Sequence, residues 1–321
     1  MSPEIRHVPG NSPVSVAVFL MKINRSSVVA IAALFTLVFI FPAGVFCAGN
    51  VEVELPDEVG VGKPFVVRAT SQNPFKGMVI RWNGKTIETS AREHEGQFAA
   101  TVILGVGLKS EIGTFPIKVS VEQDEKKQHI NRTITVVKTD FQHETLSVKP
   151  KLVKPPETVK KRIASERKLI LAAINTISNH RYWDFPFSRP VKGKMLSRFG
   201  LYRMFNGKTK GRHTGLDFRA WQGTPIHSIA AGKVILVGHF YFAGNCAFID
   251  HGNGLVSFYC HMSQVLVQEG DIVNSGQKIG LSGATGRATG AHLHLSIYAA
   301  GKSVDPEPFF NDSESGLDLQ Y

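Results

Sequence analysis

"ATGAHLHLSIY", residues 288–298, is the stretch on which the reading of this chain turns. A glycine turn opens into a segment in which histidine and leucine alternate before a run typical of β-strand. Successive side chains on a strand point to opposite faces. His292 and His294 therefore project the same way, while Leu293 and Leu295 enter a core on the other side. Histidine also sits in loops and polar cores, so the pair needs partners before it reads as a site.

Those partners lie upstream, among β-type runs and glycine turns that begin near Tyr182. "GTPIHSI", "GKVILVGHF", "CAFIDHG", "LVSFYCH" and "DIVNSGQKIGLSG" describe an antiparallel β domain over residues 182–321, without a convincing helix. Within it stands "GRHTGLDF", with His213 and Asp217 four apart and Gly215 between them. On an extended segment residues 213, 215 and 217 share a face, so an imidazole nitrogen and a carboxylate oxygen converge on one ion. A histidine from residues 292–294 completes two imidazoles and one carboxylate, a known catalytic zinc set that leaves a position open for water. The spacing permits either His292 or His294 as that ligand. His261, in "SFYCHMS", falls by alternation opposite Cys260 and reads as a further imidazole in the pocket. His227, His239 and His251, near glycine turns, read as ordinary loop or surface residues.

The chain is mostly β on both sides of a linker. From Val51 to Asp140, seven short β-type runs separated by turn residues suggest an immunoglobulin-like β-sandwich over residues 50–140. It carries no cluster of catalytic residue types and reads as a spacer or docking module. Residues 141–181 read as a basic, proline-containing linker followed by one amphipathic helix, "ETVKKRIASERKLILAAINTIS". Its apolar face is expected at Val159, Ile163, Leu169, Ile170, Ala173, Ile174 and Ile177.

Before the sandwich, Lys22 and Arg25 precede a long uncharged apolar run that ends in small residues. This is the layout of a secretory signal over residues 1–49, opening neatly at Met21. The competing reading is membrane anchoring through residues 28–48, long enough to span a bilayer. Either places the rest of the chain outside the cytoplasm, in the periplasm or cell envelope. A net charge of +11 over 321 residues, with a pI near 9.6, suits an anionic partner. Export removes nucleic acid as the leading one. Cys246 and Cys260 flank a hairpin-like stretch and could form a cross-strand disulfide or remain two buried thiols.

The motifs "SRFG", "FNG", "HTGLDF", "GTPI", "AAGKVI", "IDHGNGL", "GQKIGLSGATGRATGAHLHLSIY" and "VDP" occur in order over about residues 185–309. Together they resemble the lysostaphin/LytM-type zinc metalloendopeptidases, and the sandwich and helix resemble the N-terminal portion of proteobacterial members. The resemblance implies one Zn2+ per chain, held by His213, Asp217 and His294, with His261 and His292 catalytic. It implies peptide cross-links of peptidoglycan as substrate, and envelope or cell-division partners for the sandwich. Some members of this family have lost ligands and act only as wall-binding activators of a cell-wall amidase, which is the alternative reading. All ligand positions are kept here. Cys246 and Cys260 stand where small or aliphatic residues are more usual, and Leu295 where an aromatic is frequent.

Overall fold

The computed structural model describes residues 51–146, 155–205, 207 and 209–310. The signal or anchor reading of residues 1–49 and Asn206 of "FNG" lie outside the described residues. Among those described, no helix is long and apolar enough to cross a membrane.

All seven N-terminal runs form strands, and two short ones, Glu58–Gly60 and Arg92–His94, join them. Four strands pair as one sheet, from Glu52–Glu54 through Pro64–Ser71 and Gln97–Gly105 to Arg92–His94. Five pair as a second sheet, with Gly113–Gln123 and Lys126–Val137 as its long central hairpin. Alternation supplies the core between them. Val67 and Ala69 of one sheet meet Ile80, Ile117, Val119 and Ile134 of the other, all essentially without solvent exposure.

The residues read as a plain linker carry a strand, His143–Leu146, which runs parallel to Tyr202–Phe205. The helix spans Glu157–Ile174 and turns Ala173 and Ile174 inward. Leu169 departs from the expected face: it is half exposed, and Glu166 is turned inward instead. The Glu166 carboxylate accepts the Tyr241 backbone N–H at 2.9 Å and pairs with Arg162 at 2.6 Å, so a charged group is satisfied at the joint.

The C-terminal half is one large antiparallel sheet, ordered Met195–Ser197, Leu216–Arg219, His292–Ala299, Leu255–Val265, Gly244–Gly252 and Gly232–Phe240. One face carries Leu216, Phe218, Leu293, Leu295 and Tyr259 into the main core. The other is divided. Cys246, Phe248, Phe258 and Cys260 pack there beneath the helix residues Ala173 and Ile174, and the histidines of the opening stretch occupy the remainder. Both cysteines are buried free thiols.

Sandwich and large sheet share their cores. Ile103, from the sandwich, belongs to the C-terminal cluster, and Ala300 to the sandwich cluster. Lys63 bonds Asp305 at 2.8 Å, the Asp305 N–H donates to the Gly62 carbonyl at 2.8 Å, and Asn253 donates to the Glu88 carbonyl at 2.6 Å.

Candidate metal centre

Strand register brings the distant motifs together. His292–Ala299 lies between Leu216–Arg219 and Leu255–Val265, pairing Asp217 with His294 on one side and His294 with Cys260 on the other. Because the period is two, Asp217, His292 and His294 emerge on one face, as expected from sequence. His213 arrives from the turn before the Asp217 strand. Gly215 makes that turn feasible because it has no side chain. A Cβ on it would sit 2.2 Å from the Leu295 carbonyl oxygen, so the segment lies directly against the neighbouring backbone.

Three atoms then meet in a triangle: His213 Nε2 to Asp217 Oδ1 is 3.0 Å, His294 Nδ1 to Asp217 Oδ1 is 2.8 Å, and the two nitrogens are 3.1 Å apart. Donors at about 2.0–2.1 Å from a tetrahedral ion would be about 3.3 Å apart, close to these spacings. Hydrogen bonding makes the same point. His213 Nδ1 donates to the Arg198 carbonyl at 2.6 Å, so neutral His213 turns a bare Nε2 toward an anionic oxygen. One cation takes all three lone pairs at once.

The outer contacts orient these atoms. Arg203 Nη2 holds Asp217 Oδ2 at 2.8 Å and Ser197 Oγ at 2.7 Å, leaving Oδ1 for the centre. Arg203 Nε bonds Glu144 at 3.0 Å, so the strand His143–Leu146 reaches the site through one guanidinium. His294 Nε2 lies 3.0 Å from Ser296 Oγ, fixing its ring. Burial would raise the Asp217 carboxyl, but hydrogen bonds with His213 and His294 outweigh it and hold it well below the usual carboxylate range. Burial likewise keeps His294 low, against the pull of Asp217.

The two remaining imidazoles flank the triangle. His292 Nδ1 donates to the Gly290 carbonyl at 2.8 Å, and its Nε2 lies 3.8 Å from Asp217 Oδ1. His261 Nδ1 donates to the Thr285 carbonyl at 2.9 Å, and its ring centre is 4.8 Å from that of His292. With Nδ1 donating, a neutral ring at either position keeps its Nε2 lone pair free, and His292 Nε2 is the one that faces Asp217. Simple alternation cannot put His261 there, because it would share the core face of Tyr259. The backbone is what re-aims it. Asn245 pairs with Met262 and Ala247 with Tyr259, so Cys246 faces both Cys260 and His261 across a bulge. His261 sits in that bulge at φ +62°. Burial first, and the neighbouring His294 and His292 next, push the His261 pKa down to about 3, so its ring is neutral near pH 7.

All five expected residues, His213, Asp217, His261, His292 and His294, are brought together. Glu144 and Arg203 carry no spacing signal and were not anticipated, and Ser197 entered only as the first residue of "SRFG", with no role at the site. His251 differs from its reading as a loop residue: it is fully buried, 2.7 Å from both the Ala231 carbonyl and Ser257 Oγ.

Comparison with known proteins agrees with this architecture. Residues 211–306 match the model of Peptidase family M23. Over 93 residues the chain is 43% identical to the peptidoglycan DD-endopeptidase ShyA of Vibrio cholerae, a match covering 29% of this chain and 22% of that protein. Over 94 residues it is 42% identical to the DD-carboxypeptidase/endopeptidase Mpg of Neisseria meningitidis, with the same two coverages. The match thus spans about a fifth of the length of these curated relatives. A crystal structure described as an M23 peptidase of Pseudomonas aeruginosa superposes with a TM-score of 0.57 at 30% identity, over 77% of this chain and 94% of that one. With that coverage of a solved member, the triad of donors and the sheet that carries it belong to a chain of peptidase family M23.

Proposed function

We propose that this chain is an exported zinc metalloendopeptidase that hydrolyses peptide cross-links of peptidoglycan. The convergence of His213 Nε2, Asp217 Oδ1 and His294 Nδ1 within 3.1 Å of one another carries the reading. Two neutral nitrogens, one carboxylate oxygen and an open side fit Zn2+ in its catalytic form. When bound there, zinc lowers the pKa of a coordinated water and polarises a carbonyl. His261 and His292 offer bare Nε2 atoms on the open side, positioned to accept and return a proton as an amide is cleaved. Their Nδ1 atoms are tied to the Thr285 and Gly290 carbonyls, so neither ring need turn during the reaction. The printed activities of the Vibrio and Neisseria relatives support peptidoglycan as the substrate. The basic charge suits an anionic polymer, and the apolar N-terminal run supports export to the periplasm or cell envelope. Whether residues 28–48 remain as an anchor is read from the mass of the mature N-terminus.

The test is digestion of purified peptidoglycan by the chelated and the zinc-restored protein, with new termini identified by mass spectrometry. We expect new amine and carboxyl termini within cross-linked peptides only after zinc is restored. Tight zinc binding with no new termini, together with stimulation of an added amidase, would replace this reading by the activator one.

A further inference from the structure

The face that bears the metal residues continues past them along the same strand. Phe218 and Ala220 are buried in the main core, so Asp217, Arg219 and Trp221 alternate onto the opposite face. Arg219 is the register partner of His292, and its backbone N–H donates to the Lys194 carbonyl at 2.9 Å. Lys194, Arg219 and His292 thus form a cross-strand row beside the row of Ser197, Asp217 and His294. Adjacent members of such rows are about 5 Å apart, and Arg219 is about 7 Å along the strand from Asp217.

Three properties single this row out. First, the Arg219 side chain is exposed and, among the described residues, makes no ion pair, hydrogen bond or ring contact, and the same holds for Lys194. Arg203, on the other side of Asp217, is by contrast fully engaged with Glu144, Ser197 and Asp217. Second, Trp221 is 75% exposed, the most exposed large apolar side chain of the described residues. Third, its turn is held in place. The Ser282 hydroxyl donates to the Trp221 carbonyl, and the Thr224 and Gly223 N–H groups donate to the Trp221 and Ser282 carbonyls at 2.9 Å each. A fixed turn presenting an indole beside two unneutralised cations has the chemistry of a binding surface for an anion on an organic backbone.

We infer that Arg219, aided by Lys194 and floored by Trp221, is a specificity subsite for a free carboxylate of the substrate, one or two residues from the reacting amide. The inference rests on the peptidase reading above for the nature of the substrate. The guanidinium fork takes a carboxylate through two parallel hydrogen bonds, which a neutral carboxamide cannot match. The subsite therefore distinguishes stem peptides whose carboxylate is free from those in which it is amidated.

The test uses one cross-linked stem peptide in two forms, with a free carboxylate or a carboxamide on the residue that supplies the scissile nitrogen. Binding to the zinc-loaded full chain is measured by calorimetry, and cleavage separately by chromatography. Wild type should bind the carboxylate form about tenfold more tightly, the scale of one charge-assisted contact near a surface. Arg219→Gln should bring that ratio close to one, and Arg219→Lys should restore part of it. Zinc content should be the same in all three proteins. Equal binding of the two forms by wild type, or an undiminished ratio in Arg219→Gln, overturns the subsite. Cleavage without discrimination would remove the subsite and leave the peptidase reading. Arg219-dependent discrimination in binding without cleavage would keep the subsite and remove the reaction.

Discussion

At the scale of single residues, the proposed function divides the centre into atoms that would hold an ion and atoms that would face it. His213→Ala, Asp217→Ala and His294→Ala each remove one of three donors, and elemental analysis should find zinc largely lost from each. His292→Ala and His261→Ala should retain zinc yet lose about 10²- to 10⁴-fold in turnover of a cross-linked muropeptide, since each removes a proton acceptor. If His292→Ala lost zinc and His294→Ala kept it, the two roles would be reversed. The histidine whose Nδ1 completes the 2.8 Å contact to Asp217 is His294, and His292 approaches no closer than 3.8 Å. Arg203 adds a quieter case. Without its guanidinium, Asp217 Oδ2 has no cationic partner, and Arg203→Gln should weaken zinc affinity about 10- to 100-fold in a competition titration with a chelator.

Strands and turns decide where those residues point. Gly215 is confined by the Leu295 carbonyl, so Gly215→Ala should push the His213 segment off the central strand. The expected cost is about 1–3 kcal/mol in urea unfolding, with a parallel fall in zinc occupancy. An unchanged midpoint and full zinc would show that the segment can yield. The same scale explains what was legible in the sequence. The i, i+2 pair, HxxxD and the period-two cores are local patterns, and register turns them directly into a shared face. His261 was anticipated from its motif but not from its geometry, because a bulge with φ +62° overrides alternation and leaves no compositional mark. Glu144 and Arg203 were illegible because their meeting depends on a parallel strand pairing between residues about sixty apart. Leu169 misled because helical periodicity counts apolar residues, whereas Glu166 won the inner position by capping the Tyr241 N–H.

Across the whole molecule, the sandwich and the sheet that carries the five site residues are joined where residues 250–254 turn, and that joint contains a titratable group. Asn253 reaches the Glu88 carbonyl and Thr89 of the sandwich, Tyr182 N–H donates to the His251 carbonyl, and the His251 ring is sealed beneath them. Burial pushes its pKa from 6.5 to about 4, despite the Ala231 carbonyl that its Nδ1–H contacts. The neutral ring is the one that fits, so the unfolded chain binds the extra proton first. Stability from this group is therefore complete above about pH 6.5, falls as pH drops from there, and levels off below about pH 4. The loss between pH 7 and pH 5 should be about 2 kcal/mol, on the linkage scale of 1.36 kcal/mol per pKa unit. His251→Gln, which has no proton to gain, should start less stable at pH 7 but show a correspondingly shallower decline in urea unfolding over that interval. Parallel declines in wild type and variant would place the acid sensitivity elsewhere. A shallower one would identify the joint between the two halves as a place where mild acid loosens the molecule.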